Sequence, residues 1–227
     1  VAVTSPLGAR QTVTAMLVLT AVTGLVDAVS YLRLGHVFVA NMTGNVVFLG
    51  FSIDPGAGLS AVAAIIAIAG FVVGAFAGGR VAHGLAGSRT ARWLMIAFAV
   101  EAVIVAVVAV LVGVGVLAMT GHGNYATIAV LAIALGVQNS TVRHLGAPDL
   151  TTTVLTLTMT GLAADSALAG GPGAKPHRRL GSIAAMLVGA GAGAVILRWS
   201  STAVIAIAAV LVAAVAAAFG LSGRSAE

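Results

Sequence analysis

The chain contains no cysteine, which excludes disulfides and thiolate metal sites at the outset. Charge is nearly as scarce: Asp, Glu, Lys and Arg together make up 7% of 227 residues, against about a quarter in an ordinary soluble domain. That is too little to cover a surface facing water. Proline occupies only five positions, so long helices can run unbroken. No GxxxxGK[ST], HExxH or GxSxG pattern occurs, which removes the usual sequence routes to ATP, zinc and serine hydrolysis. The chain is therefore expected not to be an enzyme. The five histidines share no ligand spacing, so no metal or other cofactor is expected. The first ten residues lack a basic stretch ahead of a short apolar core, so no cleavable signal is expected.

What is present is hydrophobic: 60% of residues, with a mean hydropathy of +1.13. The composition predicts one all-α integral membrane domain over residues 1–227, its first partner the lipid bilayer. The pI of about 11.1 reflects positive cytoplasmic loops rather than a nucleic-acid surface, because Lys and Arg number only 11. Six segments are long enough to cross, near 12–32, 55–79, 92–118, 125–143, 180–197 and 200–220. Residues 55–79 carry no charge, and 93–142 carry only Glu101. Two further segments, 37–52 and 150–169, are short or interrupted by Thr-Gly.

Lys and Arg placement constrains the topology. If both short segments dip in and return, with the N-terminus inside, then Arg10, Arg80, Arg89, Arg92, Arg143, Lys175, Arg178, Arg179 and Arg224 are cytoplasmic. Only Arg33 and Arg198 then lie outside. If both short segments cross, the bias vanishes. A seven-span topology with an external N-terminus, in which only the first short segment crosses, gives the same bias as the first.

An internal repeat separates these two. Gly24 and Asp27 of "GLVDAVSYLRLG" fall on Gly136 and Asn139 of "GVQNSTVRHLG", an offset of 112. "FVANMTG" (38–44) falls on "LTLTMTG" (155–161), offset 117, and Gly70 and Gly74 fall on Gly189 and Gly193, offset 119. Three matches in one order describe a duplicated four-element unit, about 10–118 and 124–220. With a re-entrant element each unit crosses three times, and an odd number turns the second unit upside down, as in many transporters. The expected fold is six transmembrane helices plus two short re-entrant or broken segments, in two inverted repeats, with both termini cytoplasmic.

A half-membrane segment leaves backbone groups that lipid cannot satisfy, which explains polar residues in so greasy a chain. Thr43 and Thr160 are expected N-caps of short helices at 44–52 and 161–169, with Gly44 and Gly161 permitting the turn. "VFVANM" and "TTVLTLTM" before them are expected to be extended; in the alternative, which the sequence permits less comfortably, the helical half precedes each Thr-Gly. The N-terminal ends of the two half-helices are expected to meet at mid-membrane, where their dipoles favour an anionic or carbonyl group.

"GLVDAVSYL-LG-VFVANMTGNVVFLG", with "LGVQNSTVRHLG" and "TTTVLTLTMTGLAAD" in the second half, resembles the YoaK family of bacterial multi-pass membrane proteins. The likeness spans most of the chain. It implies a bacterial inner-membrane protein of about six spans with no established biochemical activity, and brings no set of site residues with it.

The intramembrane polar residues are therefore weighed on their own chemistry. Asp27 shares a helix face with Gly24 and Tyr31; a carboxylate there costs roughly 2.5–3.5 kcal/mol to insert. It is either a proton, cation or solute ligand, or an acceptor for exposed backbone of the short segment. Asn41 and Asn45 are four apart, and Thr152, Thr156 and Thr160 would form one helical stripe. Both sets suit either a solute pathway or satisfaction of broken backbone, and Gln138, Asn139 and Ser140 join them. Glu101 suits a proton relay or an interhelical hydrogen bond. Asp165 is expected to open a half-helix. Gly70, Gly74 and Gly78 form a small-residue face for close packing within the chain or against a second copy.

The leading expectation is a passive or ion-coupled transporter or channel for a small solute. Its pathway would run between the half-helices, past Asp27, Tyr31, Asn41, Thr43, Asn45, Gln138, Asn139, Thr156 and Thr160. The alternative is a non-transporting membrane protein that assembles with or stabilises a partner complex. An intramembrane enzyme using Asp27 and Glu101 would lack a recognisable nucleophile–base pair.

Overall fold

The computed structural model describes residues 5–85, 90–121, 123–145, 155–171 and 176–224. These residues form eight α-helices and no strand: α1 (Ala9–Arg33), α2 (Met42–Phe51), α3 (Ala61–Leu85), α4 (Thr90–Gly113), α5 (Asn124–Leu145), α6 (Leu155–Ala164), α7 (Pro176–Ile196) and α8 (Ser201–Arg224). Six are long and apolar enough to cross a membrane. At ~1.5 Å per residue even the shortest of these reaches ~30 Å, the thickness of the hydrocarbon layer. The two short helices, of 10 residues each, reach about half of it. Ser60 and Ser200 accept hydrogen bonds from Ala63 N–H and Ala203 N–H, starting α3 and α8 as N-caps.

Glycine decides how the long helices meet. Lipid gives no hydrophobic drive for helices to associate, so close backbone approach at small residues must supply it. A Cβ at Gly74 would lie 2.8 Å from the carbonyl carbon of Ile133, and one at Gly136 would lie 2.8 Å from Ala75 N. Gly70 faces Ala129 and Ala132, and Gly78 faces Val137 and Ser140. The face of Gly70, Gly74 and Gly78 is thus filled by the chain's own α5, the first of the two packings that the sequence allowed. In the other half, Gly189 lies against Ala21, Gly24 against Met186 and Ala190, and Gly193 against Leu25 and Ala28. The aligned glycines of the sequence repeat therefore build two equivalent seams, α3 on α5 and α7 on α1.

These contacts fix direction. Residues 70, 74 and 78 meet 129–140 in ascending order, so α3 and α5 are parallel; 21–28 meet 186–193 likewise, so α1 and α7 are parallel. Asn124 Nδ2 donates to Leu34 O at 3.0 Å, while Gln138 Nε2 donates to Thr23 Oγ1 at 3.1 Å, so α5 runs antiparallel to α1. Gly113 meets Thr202, and Phe98 stacks on Phe219 with ring centroids 5.8 Å apart, so α8 opposes α4. Hence α1 ends, and α3 begins, at one end of the bundle, marked by Arg33. The segment 34–60, with α2, returns to the end it left. Likewise α5 ends, at Leu145, and α7 begins, at Pro176, at the opposite end, marked by Arg10. The pairings are reciprocal: α1 with α7 and α8, α5 with α3 and α4, α2 with α3, α6 with α7, and α4 with α8.

The short helices differ from the sequence expectation. α2 starts at Met42 and α6 at Leu155, so Thr43 sits in a first turn and Thr160 in mid-helix, and neither is an N-cap. Residues 155–159 are helical rather than extended, whereas 37–41 are non-helical as expected. Gly44 and Gly161 lie inside helices and make no turn. Asp165 follows α6 instead of opening it, its N–H bonded to Gly161 O at 3.1 Å. Because α2 packs on α3 and α6 on α7, the N-terminal ends of the two half-helices are not held against each other by substantial packing. Thr152 lies outside the described residues.

Candidate functional site

The chain between α1 and α2 is non-helical, so its backbone groups need partners from elsewhere. Asp27, nearly two helical turns before the end of α1 at Arg33, provides two: its Oδ1 accepts from Val39 N–H and Ala40 N–H, each at 3.0 Å. Asn45 on α2 provides two more. Its Oδ1 accepts from Phe38 N–H at 2.8 Å and its Nδ2 donates to Phe38 O at 2.5 Å. Both side chains are buried, at 6% and 0% exposure. Three consecutive residues of non-helical chain are thus clamped between a carboxylate and a carboxamide.

Aromatic rings seal the clamp. Tyr31 stacks on Phe38 (centroids 5.1 Å apart, planes at 17°), Phe38 stacks on Phe48 at 5.6 Å, and His36 meets Tyr31 edge-on at 5.2 Å. His36 adopts φ 59 to make the turn out of α1. Gly44 is needed for this reason: a Cβ there would lie 2.7 Å from the Phe38 ring. Thr43 is exposed and Asn41 half-buried. Replacing Asn45 by leucine should lower stability by about 2 kcal/mol, since it orphans the buried polar groups of Phe38. Thr43→Val, at an exposed hydroxyl, should change it by under about 0.5 kcal/mol. Thermal unfolding in detergent checks the pair.

The second half carries a different device at the aligned place. Arg179 of α7 lies across Gly161, where a Cβ would be 2.7 Å from Nη1, and pairs with Asp165 Oδ2 at 2.8 Å. Gly44 and Gly161 each accommodate a flat group, a ring in one half and a guanidinium in the other. Asn139, in the place of Asp27, donates to Leu135 O of its own helix at 2.8 Å. Thr156 and Thr160 share one face of α6, and that face is exposed.

Deeper in the bundle, the bond from Gln138 to Thr23 links α5 to α1. Several buried polar atoms have no partner among the described residues: both carboxyl oxygens of Glu101, Oε1 of Gln138 and Oγ1 of Thr141. Glu101 stands at the middle of α4 and is 1% exposed. α5, which carries Gln138 and Thr141, packs against both α1 and α4, the helices of Thr23 and Glu101. Unpartnered buried acceptors are rare and costly, so each of these groups calls for a partner such as a buried water.

A family model described as "Protein of unknown function (DUF1275)" matches residues 15–218. The chain belongs to the DUF1275 family. It is also 34% identical, over 166 residues, to the UPF0700 transmembrane protein YoaK of Bacillus subtilis (strain 168), covering 69% of this chain and 67% of that protein. No solved structure matches it significantly. This DUF1275 chain is a multi-pass membrane protein.

Of its sequence-predicted residues, the fold joins Asp27, Tyr31 and Asn45 around Phe38, and sets Gln138 apart from them on Thr23. Asn41 and Thr43 flank the first group, while Thr156 and Thr160 lie on another helix. Sequence reasoning missed Thr20 and Thr23, whose hydroxyls return to Met16 O and Leu19 O and so hide inside an apolar stripe. It also missed Asn124, which reads as the end of a loop yet bonds Leu34 O, and Thr158, the buried hydroxyl of α6. The 3.6-residue period around Thr156 and Thr160 could have pointed to Thr158 on the opposite face.

Proposed function

We propose that this chain is a transporter or channel for a small solute, passive or ion-coupled and not an enzyme, built from two inverted halves with a re-entrant segment in each. The observation that carries the reading is the set of buried acceptors on Glu101, Gln138 and Thr141 that have no partner among the described residues, and the reciprocal helix pairings support the inverted plan. Water can satisfy such groups only where it can enter, and discontinuous helices near a midplane site are a recurring transporter plan. The pathway is accordingly assigned to the α1–α5–α4 region rather than to the space between α2 and α6. Asp27 and Asn45 support it from outside, by holding the α1–α2 connection in shape. Arg10, Arg80, Arg92, Arg143, Arg178 and Arg179 sit at the Arg10 end, and Arg33 and Arg198 at the other. This distribution supports a cytoplasmic Arg10 end in a bacterial inner membrane.

Osmotic shrinkage of proteoliposomes by stopped-flow light scattering, with urea, glycerol, glycine and acetate as probes, tests the reading. At least one probe should enter faster than into empty vesicles, and Gln138→Leu should return that rate to the empty-vesicle level. Glu101→Gln should abolish any stimulation by an imposed proton gradient while leaving passive entry intact. Rates equal to empty vesicles for all four probes would count against the reading and in favour of a protein that stabilises a partner complex.

A further inference from the structure

A groove of about 890 Å³ opens between the N-terminal half of α1 and the C-terminal half of α8. It is remote from Asp27, which lies toward the Arg33 end. At its mouth stand Arg10, Gln11, Thr14 and Ser222; further in, the walls are Ala15, Val18, Leu211, Ala214, Val215 and Ala218. Alanines on both walls leave space that larger side chains would fill. From Ser222 to Leu211 the groove descends ~16 Å along α8, which is one leaflet of a ~30 Å hydrocarbon layer. Arg10 is exposed, and its guanidinium has no ion pair or hydrogen bond among the described residues. It lies in the first turn of α1, where unpaired backbone N–H groups add to the attraction for an anion.

We propose that this groove binds one anionic phospholipid, its phosphate at Arg10 and an acyl chain along the alanine-lined floor. Charge complementarity selects the headgroup: a cation with no counter-ion among the described residues sits at headgroup depth, above an apolar slot one leaflet long. A zwitterionic lipid would bring its own cation to Arg10 and lose most of that gain. The proposal is independent of any transport activity.

Native mass spectrometry and thermal unfolding of the detergent-purified chain, titrated with phosphatidylglycerol or phosphatidylcholine, test it. One phosphatidylglycerol per chain should be retained and should raise the unfolding midpoint, with phosphatidylcholine bound about tenfold more weakly. Arg10→Gln should erase the preference, and Ala214→Phe should block binding of both lipids. Arg33→Gln, at the opposite end, should alter neither. Arg10 and Ala214 are both exposed, so the substitutions remove no packing; if Ala214→Phe lowers the lipid-free midpoint, Arg10→Gln decides alone. Equal affinity for the two lipids, a preference that survives Arg10→Gln, or displacement of the lipid by inorganic phosphate alone would overturn the proposal.

Discussion

Replacing Asp27 by alanine is expected to destabilise the protein by roughly 3–5 kcal/mol, whereas Asp27→Asn should cost only about 1 kcal/mol. The alanine leaves Val39 N–H and Ala40 N–H buried with no acceptor, at about 1–3 kcal/mol each, and the lost bonds were made to a carboxylate, the stronger kind. Asparagine keeps an oxygen at the Oδ1 position, 3.0 Å from both donors. Unfolding in SDS, followed by circular dichroism, measures both variants. The comparison also separates two roles. If Asp27 serves as an acceptor for backbone, the asparagine variant folds and keeps its activity. A variant that folds normally but loses all solute flux would show that the charge itself is used.

The second large effect lies on the helix seams. Gly74→Ala and Gly189→Ala should each cost more than about 2 kcal/mol, because the added carbon meets backbone and not a movable side chain. At Gly74 it would reach the Ile133 carbonyl, and at Gly189 it would lie 2.8 Å from the carbonyl carbon of Ala21. Gly191→Ala, on the same helix as Gly189 but with no atom within 4 Å, should instead stabilise by about 0.5–1 kcal/mol through helix propensity. Losses of similar size at 74 and 189 are expected because the two seams are equivalent. A neutral result at either would mean that its helix pair does not approach so closely.

Much of this architecture was legible in the sequence, and the reasons are physical. Long uncharged runs locate spans because charge is expensive in hydrocarbon, so all six were found; the largest offset is at α3, expected over 55–79 and observed over Ala61–Leu85, because the loop at 55–60 is apolar and the helix runs on past Arg80. The glycine alignment was legible because only glycine tolerates backbone contact, and Gly24, Gly74, Gly136 and Gly189 stand at such contacts. What the sequence hid was direction of interaction. Gly44 and Gly161 read as turn residues, yet they make room for Phe38 and Arg179, which are far less obvious than a turn. Thr160 read as a cap because threonine before glycine suits one, but α6 had already begun at Leu155 and tertiary packing on α7 carried it through. Asp27 was the clearest single residue, and its two possible roles could be separated only once Val39 and Ala40 were seen to point their N–H groups at it. The polar set at Glu101, Gln138 and Thr141 depends on helix rotation and on which helices meet across the bundle. Periodicity within one segment does not encode that.

The central claim is that α2 and α6 each return to the side they entered, so that the two halves lie in opposite senses. Because the chain has no cysteine, single cysteines at Gly8, Asp54 and Leu168 can be labelled in intact cells and in inverted vesicles with a membrane-impermeant maleimide. The account predicts that positions 8 and 168 react from the cytoplasmic side and position 54 from the opposite one. If 54 reacts from the same side as 8, then α2 crosses; if 168 reacts from the side opposite to 8 while 54 also does, then α6 crosses. Either result would contradict the inverted arrangement and remove the frame on which the proposed pathway rests.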